Sequence, residues 1–107
     1  VDGFRIDTIK HIPASFYREW FDHVRGAFPA RELFGVGEYW SGDVNELDGY
    51  LAATGGVMRL FDVPLHFRLH EASKKGRDFD LSKLFDGTLV QRNPLMAVTY
   101  VDNHDTE

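Results

Sequence analysis

Asp7, Glu38 and Asp105 each close a short apolar run or the few residues after it. Acids placed that way do nucleophilic and proton-transfer chemistry when the fold gathers them. In Val1-Asp2-Gly3-Phe4-Arg5-Ile6-Asp7, residues two apart share one face of an extended strand, so Arg5 and Asp7 point one way and Phe4 and Ile6 the other. A guanidinium beside Asp7 favours its ionised form, which suits a nucleophile. Glu38 is followed by Tyr39 and Trp40, and apolar aromatic surroundings raise a carboxyl pKa toward that of a general acid. Two carboxyls with pKa values driven apart are what glycosidic bond cleavage requires: one protonates the leaving oxygen while the other attacks the sugar carbon. Tyr39 and Trp40 also offer flat apolar faces to sugar rings. Taken singly, the same residues also fit plainer roles: a strand-end salt bridge for Arg5 and Asp7, a cap or surface acid for Glu38, a turn for Asp105.

The elements that must position these acids follow from periodicity and breakers. Pro13 and Ser15 mark the start of a helix in which Phe16, Trp20, Val24 and Phe28 recur every four residues, widened by Tyr17 and Phe21, and which ends near Gly26. Leu33 to Gly37 is apolar and too short for a helix, so it reads as a buried strand delivering Glu38. Asp43 is the expected N-cap of a second helix, with Glu46 three residues on, Leu47, Tyr50 and Leu51 on its buried side and Gly55-Gly56 as its stop. Val57 to Phe61 forms a third strand, closed by Asp62, which shapes the mouth of a site or caps the next element. Pro64 opens a helix to about Ser73. A short helix near 81–85 and a connection at 87–94 lead to a last strand, Met96 to Val101, ahead of Asp102-Asn103-His104-Asp105.

Strands alternating with helices imply parallel strands and crossover connections, an α/β fold. The acids at 7, 38, 62 and 105 are 31, 24 and 43 residues apart. A (β/α)8 TIM barrel uses about 31 residues per unit, so the spacing fits three units and part of a fourth, about half of a barrel. A doubly wound sheet is the competing architecture, but no G-x-G-x-x-G or Walker-type loop follows a strand. Side chains at the carboxyl ends of barrel strands face its mouth, where Asp7, Glu38 and Asp105 would meet.

Composition narrows the partners. The chain has 107 residues, a net charge of −5 and no cysteine. The acidic balance disfavours nucleic acid, which needs a surplus of Lys and Arg on one face. No apolar stretch approaches the roughly 18 residues needed to cross a bilayer. Without cysteine there is no disulfide framework, and the redox compartment stays open. The opening inside a strand without Met and the close just after Asp105 suggest a piece of a longer chain. His66 and His70, four apart on a helix, could share a metal ion, although solvated helix histidines are far commoner. His23 and the basic turn Lys74-Lys75-Gly76-Arg77 read as hydrated surface.

Three segments carry a resemblance: Asp2-Gly3-Phe4-Arg5-Ile6-Asp7-Thr8-Ile9-Lys10-His11, Gly37-Glu38-Tyr39-Trp40 and Tyr100-Val101-Asp102-Asn103-His104-Asp105-Thr106. In this order and spacing they resemble signature segments of the α-amylase family of glycoside hydrolases. Phe61-Asp62-Val63-Pro64-Leu65-His66 is most similar to the bacterial liquefying members. The resemblance implies that residues 1–107 are the central part of the (β/α)8 catalytic domain, strands four to seven, incomplete at both ends. It implies endo-hydrolysis of α-1,4-glucosidic bonds in starch and glycogen with retention, Asp7 as nucleophile, Glu38 as general acid and base, and Asp105 as stabiliser of the transition state. Arg5 would orient Asp7, His104 would bond the sugar in the cleavage subsite, and Lys10 and Trp40 would line neighbouring subsites. The backbone carbonyl of His11 would help hold a structural calcium whose other ligands lie elsewhere. The implied partner is an α-glucan, the implied parent a monomer, and secretion is favoured with a cytoplasmic location open. Transglycosylation, another α-glucosidic specificity or a non-catalytic carbohydrate-binding role are the alternatives on the same scaffold. With early strands and the final stave missing, the isolated residues are expected to be inactive, with open edges prone to aggregation.

Overall fold

A computed structural model describes residues 1–106. Four parallel strands lie side by side in chain order: β1 (Gly3–Ile6), β2 (Phe34–Gly37), β3 (Arg59–Phe61) and β4 (Ala97–Val98). Helices α1 (Ala14–Ala27), α2 (Val44–Thr54) and α3 (Val63–Lys75) provide the crossovers, and a short α4 (Leu89–Arg92) precedes β4. Strand order that never reverses is the order of barrel staves, whereas a doubly wound sheet reverses at a switch point. The fold is part of a (β/α)8 barrel.

The register explains which side each residue serves. Phe4 pairs with Gly35, Ile6 with Gly37, Gly37 with Leu60, and Leu60 with Ala97, and these positions face the helices. Gly35 and Gly37 are required there by space: a Cβ on Gly37 would lie 2.6 Å from Ile9 Cδ1 and 2.8 Å from Met58 Sδ, and one on Gly35 would overlap the Phe21 ring. Close-packed interiors leave no room for such an addition. Phe21, Ile9, Leu47, Leu60 and Leu89 are fully buried in the resulting core. The other face carries Arg5, Phe34, Val36 and Arg59, with the Arg59 guanidinium 5.1 Å from the centre of the Phe34 ring. Arg5, Phe34 and Arg59 are exposed on it. A radius of gyration of 15.2 Å exceeds the about 13 Å of a compact domain of this length, as a slab with one open face should.

Two local expectations are corrected. The buried line of α1 is Tyr17 and Phe21, while Phe16 and Phe28 are half exposed. A strict four-residue repeat drifts around a helix of 3.6 residues per turn, and the slot over Gly35 selects Phe21 as the centre. The helix starts where expected, at Ala14 behind Pro13, with no side-chain bond at its N-terminus. The last strand pairs over Ala97 and Val98 alone, not 96–101, and the 87–94 connection contains α4. By contrast Asp43 caps α2 as expected, accepting from Asn45 N at 2.8 Å, and Gly55 ends it with φ of 69°.

Asp62 is fully buried, and its carboxylate accepts from Leu65 N at the start of α3 and from Leu89 N and Val90 N at the start of α4. Its own amide donates to Val98 O at 2.9 Å. One side chain thus joins two helix N-termini, whose unpaired N–H groups favour an anion. Among the described residues no helix is long and apolar enough to cross a membrane.

Candidate active site

β1 and β2 end together and bring their acids together. Glu38 N donates to Ile6 O at 2.9 Å and Ile9 N donates to Glu38 O at 3.1 Å, so the ladder continues past the assigned strands. Between them Thr8 turns the chain with φ 46° and ψ 38°. This left-handed conformation is strained for a β-branched residue and is held by its surroundings. Tyr50 OH supplies part of that hold, donating to Ile9 O at 3.1 Å and Ile12 O at 3.3 Å.

Arg5 is the centre of the site. Its Nη1 donates to Asp7 Oδ1 and its Nη2 to Glu38 Oε2, so one guanidinium spans both carboxylates. Asp7 is exposed and its pKa is lowered, by its hydrogen bond with Glu38 first and by Arg5 next. Glu38 is 6% exposed, and its pKa is raised by burial first, then by the hydrogen bond with Asp7, against the opposing pull of Arg5. The asymmetry in burial decides which acid keeps the shared proton.

A cleft of about 140 Å³ opens beside Glu38, lined by Arg5, Glu38, Phe61, Tyr100, Asp102, Asn103 and His104. His104 is therefore on its wall. Asp105 is exposed and off that wall: its amide donates to Asn103 Oδ1 at 3.1 Å, and its Oδ2 lies 3.5 Å from His104 Nε2. Its charge nonetheless reaches Glu38 and contributes to raising that pKa. Lys10 stands on the near side, 5.6 Å from the Tyr39 ring centre and 3.9 Å from Glu46 Oε2. Trp40 packs edge-on against Phe67 at 5.8 Å and tilted against His66 at 6.0 Å. A larger hollow of about 740 Å³ lies at the opposite, amino-terminal ends of the strands, lined by Phe34, Arg59 and Leu95 among others, away from the acids.

Calcium takes six to eight oxygen ligands, and among the described residues no group of three or more acidic or histidine side chains could hold a metal. His11 sits exposed in the turn after β1 and offers one carbonyl. These residues alone do not make a calcium cage. Among the described residues no third ligand joins His66 and His70; His66 Nδ1 is 2.7 Å from Val101 O, and its ring is packed among aromatics. Sequence reasoning missed Tyr100, His66 and the cleft role of Phe61. The aromatic spacing around Asp102 and Asp62 was visible, but nothing local says that these rings stack.

Parallel staves with a buried acid, an exposed acid and a shared arginine at their carboxyl ends are the arrangement a glycoside hydrolase barrel needs. No protein-family model matches the chain. It is 52% identical over 106 residues to the cytoplasmic alpha-amylase of Escherichia coli (strain K12), covering 99% of this chain and 21% of that one. It is 49% identical over 107 residues to the glucan 1,4-alpha-maltohexaosidase of Bacillus sp. (strain 707), covering all of this chain and 20% of that one. An alpha-amylase of Geobacillus stearothermophilus is 50% identical over the same length, with 19% of it covered. The chain belongs to the α-amylase family, alongside the bacterial liquefying enzymes, and spans about a fifth of the length of these relatives.

Proposed function

We propose that the full-length enzyme carrying these residues cleaves α-1,4-glucosidic bonds within starch, glycogen and related glucans by double displacement. The opposed pKa directions of Asp7 and Glu38 around one arginine carry this reading. Asp7, ionised, attacks the anomeric carbon as its bond to the glucosidic oxygen breaks, and that oxygen takes the proton from Glu38. Glu38 is then a carboxylate. It draws a proton from water, the water oxygen bonds the anomeric carbon, and Asp7 leaves as the bond to it breaks. Arg5 Nη2 takes up the charge that appears on Glu38 in the first step, so proton release is stabilised where it occurs. Asp105 lends negative charge to the oxocarbenium-like transition state, His104 bonds the sugar from the cleft wall, and Lys10 and Trp40 hold neighbouring sugars.

Activity therefore needs Asp7 ionised and Glu38 protonated, which gives a bell-shaped pH profile with its acid limb set by Asp7 and its alkaline limb by Glu38. Residues 1–107 alone are proposed to be inactive, because β1 and β4 have unpaired outer edges and the opposite barrel wall is missing. The parent acts as a monomer on a polysaccharide. The deciding experiment follows the first-formed anomer of the reducing end by NMR during hydrolysis of a maltooligosaccharide. The α anomer is expected; the β anomer would overturn double displacement.

A further inference from the structure

We infer that His66 is a positioning residue of the cleft, tying the segment that carries His104 and Asp105 to the segment that carries Glu38. The inference rests on the glycosidase reading. β4 pairs with β3 only as far as Val98. From Thr99 to Thr106 every other hydrogen bond among the described residues is local, within Asp102 to Thr106, except one: His66 Nδ1 to Val101 O at 2.7 Å. A carbonyl only accepts, so Nδ1 carries the proton and the ring has one orientation.

The ring's faces are used as well. His66 is 5% exposed and lies flat on Tyr100, with centres 5.1 Å apart and planes 5° from parallel. Phe61 meets the Tyr100 ring edge-on at 5.6 Å, and Trp40, two residues beyond Glu38, packs on His66. The run Trp40, His66, Tyr100, Phe61 is thus a wall behind the cleft, of which Phe61 and Tyr100 are also lining residues. Among the described residues Tyr100 OH is buried without a partner, so there the stack rather than a hydroxyl bond holds that ring. Aromatic pairs prefer a limited set of offset and edge-on separations, so this wall fixes a spacing. The carbonyl bond fixes the rotation of the strand extension about it. Together they set where Asp105 stands relative to Glu38.

The test compares His66→Phe, which keeps a ring and loses the donor, with His66→Asn, which keeps a donor near the Nδ1 position, in the full-length enzyme well below its melting temperature. His66→Phe is expected to lower kcat about ten- to a hundredfold with KM nearly unchanged, the scale of a misplaced reacting group. His66→Asn is expected to restore most of that loss. Because Asp105 adds to the rise of the Glu38 pKa, its displacement by His66→Phe moves the alkaline limb to lower pH. A merely structural histidine would lower the melting temperature and leave both kcat and the limb in place. Wild-type kcat and limb in His66→Phe, or equal impairment of the two variants, would overturn the inference. If His66→Phe does not fold, Tyr100→Leu must show the same direction in kcat and limb, and unchanged values there reject it. Glu38→Gln run in parallel separates the two ideas: activity surviving in that variant sinks the glycosidase reading itself.

Discussion

The two ends of the sheet solve the same problem by different means. At the β1 and β2 end, four residue pairs of ladder, two further backbone bonds and the strained turn at Thr8 fix the acids, so Asp7 and Glu38 stand on main chain. At the β4 end only two residue pairs exist, and beyond Val98 the approach to Asp105 is held, among the described residues, by one side chain, His66, on Val101 O. Backbone pairing is indifferent to most substitutions. Side-chain anchoring is lost with one. The first end is therefore robust to mutation of its surroundings, and the second is sensitive.

That contrast can be broken most strongly at Arg5, the side chain that bonds both carboxylates of the first end. Arg5→Leu in the full-length enzyme is expected to lower kcat/KM by about 10²- to 10³-fold, measured on a maltooligosaccharide. Arg5 lowers the pKa of both acids, so its removal raises both, and both limbs of the pH profile move to higher pH. A limb that moves the other way would show that the guanidinium does not govern these carboxyls.

Next in size is Asp62→Ala. It strips the carboxylate from three amides, two of them at the start of α4, and is expected to cost about 3 kcal/mol of stability by urea unfolding. A loss below about 1 kcal/mol would mean that water replaces the clamp. Gly37→Ala tests the robust end from behind: the new Cβ collides with Ile9 and Met58, and a loss of about 1–3 kcal/mol is expected with the pH limbs unmoved. The smallest effect is a gain. Thr8→Asn puts a residue that tolerates the left-handed region where Thr is strained, and should raise stability by about 0.5–1 kcal/mol. No gain would show that the Thr side chain compensates its own backbone.

The same contrast explains what could be read from the residues alone. β1, β2 and β3 and the acids that close them were legible because alternation in Phe4-Arg5-Ile6-Asp7 and apolar runs bounded by breakers are local signals. The cap at Asp43 and the stop at Gly55 were equally local. The extent of β4, the existence of α4 and the reach of Asp62 were not, because each depends on a bond to a residue more than 25 positions away. The buried side of α1 was misjudged for a related reason. Its periodicity admits two adjacent stripes, and the choice lies in a bare patch on β2 that the helix cannot announce. Arg5 beside Asp7 was foreseen; that its other nitrogen reaches Glu38 needed the register of β1 on β2.

That bare patch has a practical meaning. Because Phe21 rests directly on the main chain at Gly35, three residues before Glu38, the height of that carboxyl is adjustable from the helix side of the sheet. Trimming the ring to leucine opens a gap that a methyl at position 35 would refill. The pair of changes made together should cost less than the sum of each alone, offering a way to retune the acidity of Glu38 from behind the sheet.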